Sequence, residues 1–113
     1  MSLQSAPPEV SGEIRAQILR AIQNDDYFLY PDGMRYLVAL GLDPYSVVTD
    51  LTKDLEFGAR LYALPGNPQK CQCCVYYEND LIVHVKLTIR SDKTPTIAIA
   101  FHRHDTGYPP LPR

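Results

Sequence analysis

Two runs in the last third of the chain alternate with a period of two residues, and they constrain the fold most strongly. They span residues 81–90 and 95–104. Because successive side chains of a strand point to opposite faces, each run predicts a strand with two distinct faces. One face is apolar and holds Leu81, Val83, Val85, Leu87, Ile89, Ile97, Ile99 and Phe101. The other face, after Ile82, holds His84, Lys86, Thr88, Arg90, Thr96, Ala98, Ala100, His102 and His104. The pattern predicts a sheet with one core face and one cationic face suited to a polyanionic ligand.

The first half of the chain predicts helices. Apolar residues at three-to-four-residue spacing predict an amphipathic helix from Glu9 to Asn24. Asp32 is the predicted N-cap of a short second helix that Gly41 would end. Asp43 followed by Pro44 predicts a third helix over residues 44–51. We interpret the run 25–30 as a connection without specific function.

The second half predicts a small antiparallel sheet. Residues 57–63 form a short candidate strand, residues 64–68 a loop, and residues 70–77 the next strand. Tight turns at 78–80 and 91–94 join this strand to the two alternating runs. The predicted fold class is therefore α+β, with two or three N-terminal helices packed on one face of a three- to four-stranded antiparallel sheet.

Length and composition predict one ordinary globular domain. The chain has 113 residues, of which 45% are hydrophobic and 21% charged. We expect an extended lead-in over residues 1–8, a single domain over 9–105 and an irregular tail over 106–113. No apolar run approaches the ~20 residues of a membrane helix, and the first residues do not resemble a signal peptide. The expectation is a cytoplasmic protein without a membrane partner.

The overall charge limits how the chain could bind nucleic acid. A net charge of −2 and a pI of about 5.8 argue against indiscriminate binding, which basic proteins achieve by releasing phosphate counterions. A nucleic-acid role would therefore need a locally positive face, such as the one that the alternating strands predict.

Three closely spaced cysteines raise the alternative of a zinc site. Cys71, Cys73 and Cys74 precede strands that carry His84, His102 and His104. However, a C-x-C-C run on a strand places Cys73 and Cys74 on opposite faces. We therefore predict reduced, mostly buried thiols, with neither a metal nor another cofactor. The common phosphate-loop, dinucleotide-binding, zinc-protease and nucleophile-elbow motifs are absent from the sequence.

Four short segments are spread over roughly residues 38 to 103: residues 40–43 (LGLD), 74–76 (CVY), 83–89 (VHVKLTI) and 99–102 (IAFH). In these segments the chain resembles the MqsR-type toxins of the RelE/ParE group of bacterial ribonuclease toxins. The resemblance implies a RelE-like fold and cleavage of messenger RNA by side chains on the sheet face, without a metal. It also implies a cognate antitoxin protein that holds the toxin inactive.

The resemblance assigns particular positions. The family's strand tyrosine falls on His84, and the basic residue near the end of its final strand falls on His102. A family glutamine falls near Gln72 or Cys73, and an earlier basic residue falls on Arg60. The chain therefore departs from the family pattern, with histidine in place of tyrosine and of lysine, and with a lower pI.

The residue chemistry is compatible with RNA cleavage. Histidine titrates near ~6.5 and can act as base or acid near neutral pH, and cations can stabilise phosphoryl charge. We predict that His84, His102 and Lys86 are catalytic. The predicted RNA- and phosphate-binding residues are Arg60, Gln72, Tyr76, Arg90, Arg103 and His104.

The predicted function is that of a toxin-like endoribonuclease (an mRNA interferase), with RNA as substrate and an antitoxin as partner. The main alternative is a non-catalytic module of the same fold that binds a partner protein or nucleic acid. A zinc-stabilised domain is a third interpretation. A polar sheet face that merely contacts solvent would also explain the alternation.

Overall fold

The computed structural model describes residues 8–64, 71–77 and 81–103. In this part of the chain, three helices and five strands follow one another. They are α1 (Gly12–Gln23), β1 (Tyr27–Leu29), α2 (Pro31–Ala39), α3 (Pro44–Glu56), β2 (Tyr62–Ala63), β3 (Cys71–Tyr76), β4 (Leu81–Ile89) and β5 (Pro95–Arg103). The predicted α+β class is confirmed. The strands form a single mixed sheet in the order β1-β5-β4-β3-β2.

The long strands pair as the alternation predicts. Strands β3, β4 and β5 form an antiparallel meander, with β2 antiparallel to β3 at the edge. In the β4–β5 pairing His84 lies opposite Ala100, and Lys86 lies opposite Ala98. This register places all the even-numbered side chains of both strands on one face.

The predicted strand count was wrong, because the run 25–30 contains a strand. Strand β1 pairs parallel to β5, with Tyr27 opposite Ile97 and Leu29 opposite Ile99. Three residues are too few to show a periodic pattern, and Leu29 is buried in the core that the helices and the other strands form. Over the described ranges the sheet is therefore mixed and five-stranded, not antiparallel with three or four strands.

The predicted helix starts needed correction at two positions. Helix α1 begins at Gly12, after Ser11, whose hydroxyl accepts a hydrogen bond from the Ile14 N–H at 3.2 Å. Tyr30 is the N-cap of α2, because Pro31 already occupies its first turn. Asp32 therefore lies within the first turn and is not the cap.

The third helix is longer than predicted. It continues beyond Leu51 to Glu56, since Leu55 adds one more buried turn on the same face. The candidate strand over residues 57–63 is consequently reduced to Tyr62–Ala63.

The turn between α2 and α3 has the predicted chemistry. Gly41 follows α2 with a φ of +78°, a conformation that favours glycine, and the Leu42 N–H donates to the Leu37 carbonyl at 2.9 Å. The Asp43 carboxylate caps α3 by accepting from the Ser46 N–H at 2.9 Å, and Pro44 lies in the first turn.

The main core lies between the helices and the odd-numbered face of the sheet. It joins the buried faces of all three helices to the strands. Its buried residues are Ile18, Ala21, Ile22, Leu29, Leu37, Val48, Leu51, Leu55, Leu61, Cys73, Val75, Leu81, Val83, Val85, Leu87, Ile97, Ile99 and Phe101. The predicted aliphatic face is therefore core, although Ile89 at its end is exposed. Two polar contacts fix α3 in this layer. The Arg15 guanidinium donates to the Leu55 carbonyl, with Nη2 at 2.6 Å, and the Tyr77 hydroxyl donates to Asp54 at 3.0 Å.

Several predictions concern residues outside the described ranges. These are the lead-in over residues 1–7, most of the 64–68 loop, Lys70, the turn at 78–80, His104 and the tail. Among the described residues, no helix has the length and apolar character needed to cross a membrane.

Candidate active site

A cleft of about 410 Å³ opens on the polar face of the sheet, beside the N-terminus of α2. Its walls combine titratable, amide and aromatic side chains with small residues. The described residues that line it are Tyr30, Asp32, Gly33, Gln72, His84, Lys86, Ala98, Ala100 and His102. The cleft therefore brings together the three predicted catalytic residues and one predicted binding residue, Gln72.

The sheet register determines where these side chains lie. Gln72 on β3 is opposite Lys86 on β4, which is in turn opposite Ala98 on β5. His84 lies two residues along β4, so it shares the face of Lys86. Ala98 and Ala100 carry only a methyl group, and the cleft lies above them because larger side chains would fill it.

The two histidines meet across strands, as the alternation predicts, but they are diagonal and not directly opposite. His84 is opposite Ala100, whereas His102 is opposite Ile82. Their ring centroids are 5.9 Å apart, with a tilt of 49° between the planes. Long side chains can bridge a diagonal of this kind. The result is a pair of imidazoles that share one edge of the cleft.

The environment of His84 favours its neutral form. The ring is half-buried, and burial disfavours a charge, so the pKa of His84 is lowered; the neighbouring His102 lowers it further. The ring is also oriented by Gln72, whose Oε1 lies 3.2 Å from His84 Nε2. When Nε2 carries the proton and donates to this amide oxygen, Nδ1 is the basic nitrogen.

Two of the predicted binding residues engage in contacts of their own away from the cleft. Arg90 pairs with Asp26 through both carboxylate oxygens, with Nη2–Oδ1 at 2.6 Å. Arg60 lies before the edge strand β2, with its Nε 3.8 Å from Glu9. Neither of them lines the cleft in the described part of the chain.

The other two described candidates also lie outside the cleft. Tyr76 packs edge-to-face on Tyr62, with ring centroids 5.7 Å apart. Arg103 is exposed at the end of β5, opposite Leu81. His104 lies beyond the described residues.

Sequence reasoning missed the contribution of α2 to the cleft. The sequence pattern places Tyr30 in a connection and Asp32 at a helix cap, and it indicates no role for Gly33. Yet a glycine inside a helix costs about 1 kcal/mol relative to alanine, which is a signal to look for a packing reason. A Cβ added at Gly33 would lie 2.7 Å from the Phe101 nitrogen, so only glycine lets α2 pack this closely on β5. That contact places Tyr30 and Asp32 at the cleft.

The cysteines do not converge on a site. Cys73 lies in the helix-side core and its thiol donates to the Val85 carbonyl at 3.6 Å, whereas Cys74 packs with Tyr62 and Ile82 on the other side of the sheet. Burial raises the pKa of Cys74 to about 11, and it raises the pKa of Cys73 further. Metal binding needs thiolates. Within the described ranges, no three His, Cys, Asp or Glu residues are grouped so as to hold a metal ion.

Comparison with known proteins identifies no relative of the chain. No protein-family model, curated protein or solved structure matches the chain.

Proposed function

We propose that this chain is a toxin-like endoribonuclease that cleaves RNA by acid–base chemistry, without requiring a metal. One observation carries the proposal. The imidazoles of His84 and His102 lie 5.9 Å apart in a cleft that also holds Lys86. Two groups that exchange protons near neutral pH, together with a cation for the phosphate, are what cleavage by the RNA's own 2′-hydroxyl needs.

The two histidines have different roles in the proposed reaction. His84 takes the proton of the 2′-hydroxyl, and the 2′-oxygen attacks the adjacent phosphorus. The P–O5′ bond breaks while protonated His102 gives its proton to the departing 5′-oxygen. The products are a 2′,3′-cyclic phosphate and a free 5′-hydroxyl, so each cleavage moves one proton from substrate to His84 and one from His102 to product.

The surroundings of the rings support this division. The lowered pKa of His84 keeps that ring neutral near pH ~7, as a base requires. His102 is the more exposed ring and lies closer to solvent, which can return its proton. Because two charged imidazoles repel each other, double protonation of the pair is disfavoured, which further supports a neutral His84.

Two neighbouring side chains complete the proposed site. Lys86 is half-buried on the same strand face and would stabilise the charge that develops on the phosphoryl oxygens. Gln72 lines the cleft and orients the His84 ring by a 3.2 Å contact, so we assign it the role of a positioning residue.

The biological setting is part of the same proposal. The four segments that resemble MqsR-type toxins support a messenger RNA substrate and a cognate antitoxin. The proposal also includes a cytoplasmic location. The second candidate function is a non-catalytic RNA-binding module, which would use the same cleft. The endoribonuclease and the non-catalytic module are distinguished by the reaction product, because only the endoribonuclease yields cleaved RNA.

End-group analysis of the products tests the proposal. Purified protein is incubated with an end-labelled RNA and with the same RNA carrying a 2′-deoxy nucleotide on the 5′ side of the cleaved bond. We expect 2′,3′-cyclic phosphate and 5′-hydroxyl ends from the RNA, and no cleavage at the deoxy position. Ends with a 5′-phosphate, or cleavage at the deoxy position, would contradict attack by the 2′-hydroxyl.

A further inference from the structure

We propose that Phe28 and Tyr30 form an aromatic wall that stacks an unpaired nucleobase beside the scissile phosphate, so that the site takes single-stranded RNA. The inference rests on the proposed function for the identity of the substrate. It adds a base-binding subsite that neither the alternating strands nor the family resemblance assigns.

The parallel register of β1 places Phe28 on the same sheet face as the cleft, where it contacts Tyr30 but is not itself among the described residues that line the cleft. Phe28 is opposite Ala98, and Ala98 is opposite Lys86, so the three residues form one row across three strands. Tyr30 follows directly after β1, and its N–H donates to the Ile99 carbonyl at 3.1 Å. This bond continues the path of the strand, and the Tyr30 side chain lines the cleft.

Both rings are held in place and yet accessible. Phe28 is 56% exposed and Tyr30 is 42% exposed, although both belong to ordered strand-like backbone. Their centroids are 5.2 Å apart and their planes lie at 89°, an edge-to-face contact that fixes one ring against the other. Fixed, accessible aromatic rings on a sheet are the surfaces on which unpaired bases stack.

The floor of the cleft sets the distance between this wall and the cationic side. Strand β5 alone separates β1 from β4, so the wall and Lys86 are two strand spacings apart, about 10 Å. Between them, Ala98 and Ala100 rise no further than a methyl group. A single nucleotide can span this width, with its base on the aromatic side and its phosphate on the cationic side.

Charge gives the nucleotide its orientation. Asp32 lies at the aromatic side of the cleft, where it pairs with Arg35 at 3.0 Å, while Lys86 lies at the opposite side. The Asp32 charge is offset by Arg35, whereas the Lys86 ammonium attracts a phosphate, so the phosphate is directed toward Lys86 and the histidines. The uncharged base is then left beside Tyr30.

A paired base could not occupy this position. In an RNA duplex each base is stacked between its neighbours, and its faces are closed to a protein side chain. Stacking on Tyr30 requires a base that has turned out of such a stack. We therefore expect the cleft to discriminate between single strands and duplexes of the same sequence.

Fluorescence anisotropy with a labelled 12-nucleotide RNA tests the inference through binding alone. The variants are Phe28→Leu and Tyr30→Ala, which remove a ring, and Tyr30→Phe, which keeps it. Phe57→Ala is the matched control, because Phe57 is an 88% exposed aromatic outside the cleft. We expect Phe28→Leu and Tyr30→Ala to weaken binding of the single strand by on the order of 10- to 100-fold, as removal of a stacking ring does. Tyr30→Phe and Phe57→Ala should bind as the wild type does.

The same assay with the duplex form of the RNA, and cleavage measured in parallel, separates this inference from the proposed function. Single-strand binding that needs the rings, without cleavage, would overturn the function and leave the subsite standing. Two results would overturn the subsite alone while cleavage is still seen. One is an affinity for the single strand that neither ring deletion changes, and the other is an equal affinity for the single strand and the duplex. No RNA binding by the wild type would overturn both.

Discussion

His84 and His102 come together because the β4–β5 register places them on one diagonal, with ring centroids 5.9 Å apart. A shift of the register by one residue would turn His102 to the opposite face, into the helix-side core. The pair therefore depends on the same hydrophobic alternation that buries Val83, Val85 and Ile99. Stability and the candidate chemistry share one structural cause.

The pH dependence of cleavage should report the environment of His84. Burial and the nearby His102 lower its pKa from the ordinary value of 6.5, so the neutral base persists to more acidic pH than in a free histidine. We expect kcat/KM to fall as the pH is lowered, with a midpoint below pH 6.5, when it is measured with controls for the effect of the buffer itself. An acid midpoint above this value would be inconsistent with His84 as the base.

Removal of the Lys86 charge should slow the chemical step. We expect Lys86→Ala to lower kcat by about 10²–10³-fold, since a cation at the developing phosphoryl charge is lost. Single-turnover cleavage at saturating enzyme measures this step without binding. Lys53→Ala is the matched control, because Lys53 lies in the last turn of α3 and not in the cleft. An equal loss of kcat in both variants would indicate that the net charge of the protein controls the rate, and it would contradict a specific role of Lys86 in the cleft.

Gly33 should be intolerant of even one methyl group. A Cβ there would lie 2.7 Å from the Phe101 nitrogen and 3.2 Å from its oxygen, so α2 would have to move away from β5. We expect Gly33→Ala to lower the free energy of unfolding by about 1–3 kcal/mol in urea titrations. Gly12→Ala is the control, because nothing lies within 4 Å of its added Cβ. That variant should leave the free energy of unfolding unchanged or raise it by less than about 1 kcal/mol.

The Asp26–Arg90 pair should make the stability of the fold depend on pH in the acidic range. Hydrogen bonds from Arg90 and Thr96 lower the pKa of Asp26 in the folded protein below its ordinary 3.8. A carboxylate with a depressed folded pKa stabilises the fold above its unfolded pKa, and this contribution is lost as pH falls through the folded pKa. We expect Asp26→Asn to lower the melting temperature near pH ~7 and to have progressively less effect as the pH falls below 3.8.

The adjacent Asp25 offers a matched control for that measurement. Asp25 has a φ of 55°, which asparagine tolerates as well as aspartate does, so Asp25→Asn changes one nearby charge without backbone strain. It should shift the melting temperature much less than Asp26→Asn does. A pH-independent effect of Asp26→Asn would contradict the ion-pair account.

The parts of the fold that could be predicted were those with a long local signal. The alternation over β4 and β5, the Asp43–Pro44 helix start and the Gly41 helix end all depend on neighbouring residues, and the structure has each of them. Strand β1 has no such signal, because its three residues become a strand only by pairing with β5. The extension of α3 likewise depends on Leu55 meeting the core.

The candidate site was likewise predictable only where the sequence carries a local signal. Parity places His84, Lys86 and His102 on one face, and the structure gathers them in one cleft. Parity cannot show that Arg90 is engaged by Asp26, which is far away in sequence. Nor can it show that α2 approaches β5 and brings Tyr30 to the cleft. Both facts depend on contacts between distant segments.

Cleavage kinetics of the two single-histidine variants test the central claim most directly. His84→Ala and His102→Ala are compared with the wild type on one RNA substrate, with circular dichroism to show that each variant folds. We predict that each substitution lowers kcat/KM by about 10²–10⁴-fold, and that His84→Ala loses the acid limb of the pH profile. Wild-type cleavage that continues undiminished in both folded variants would contradict the assignment of these two histidines.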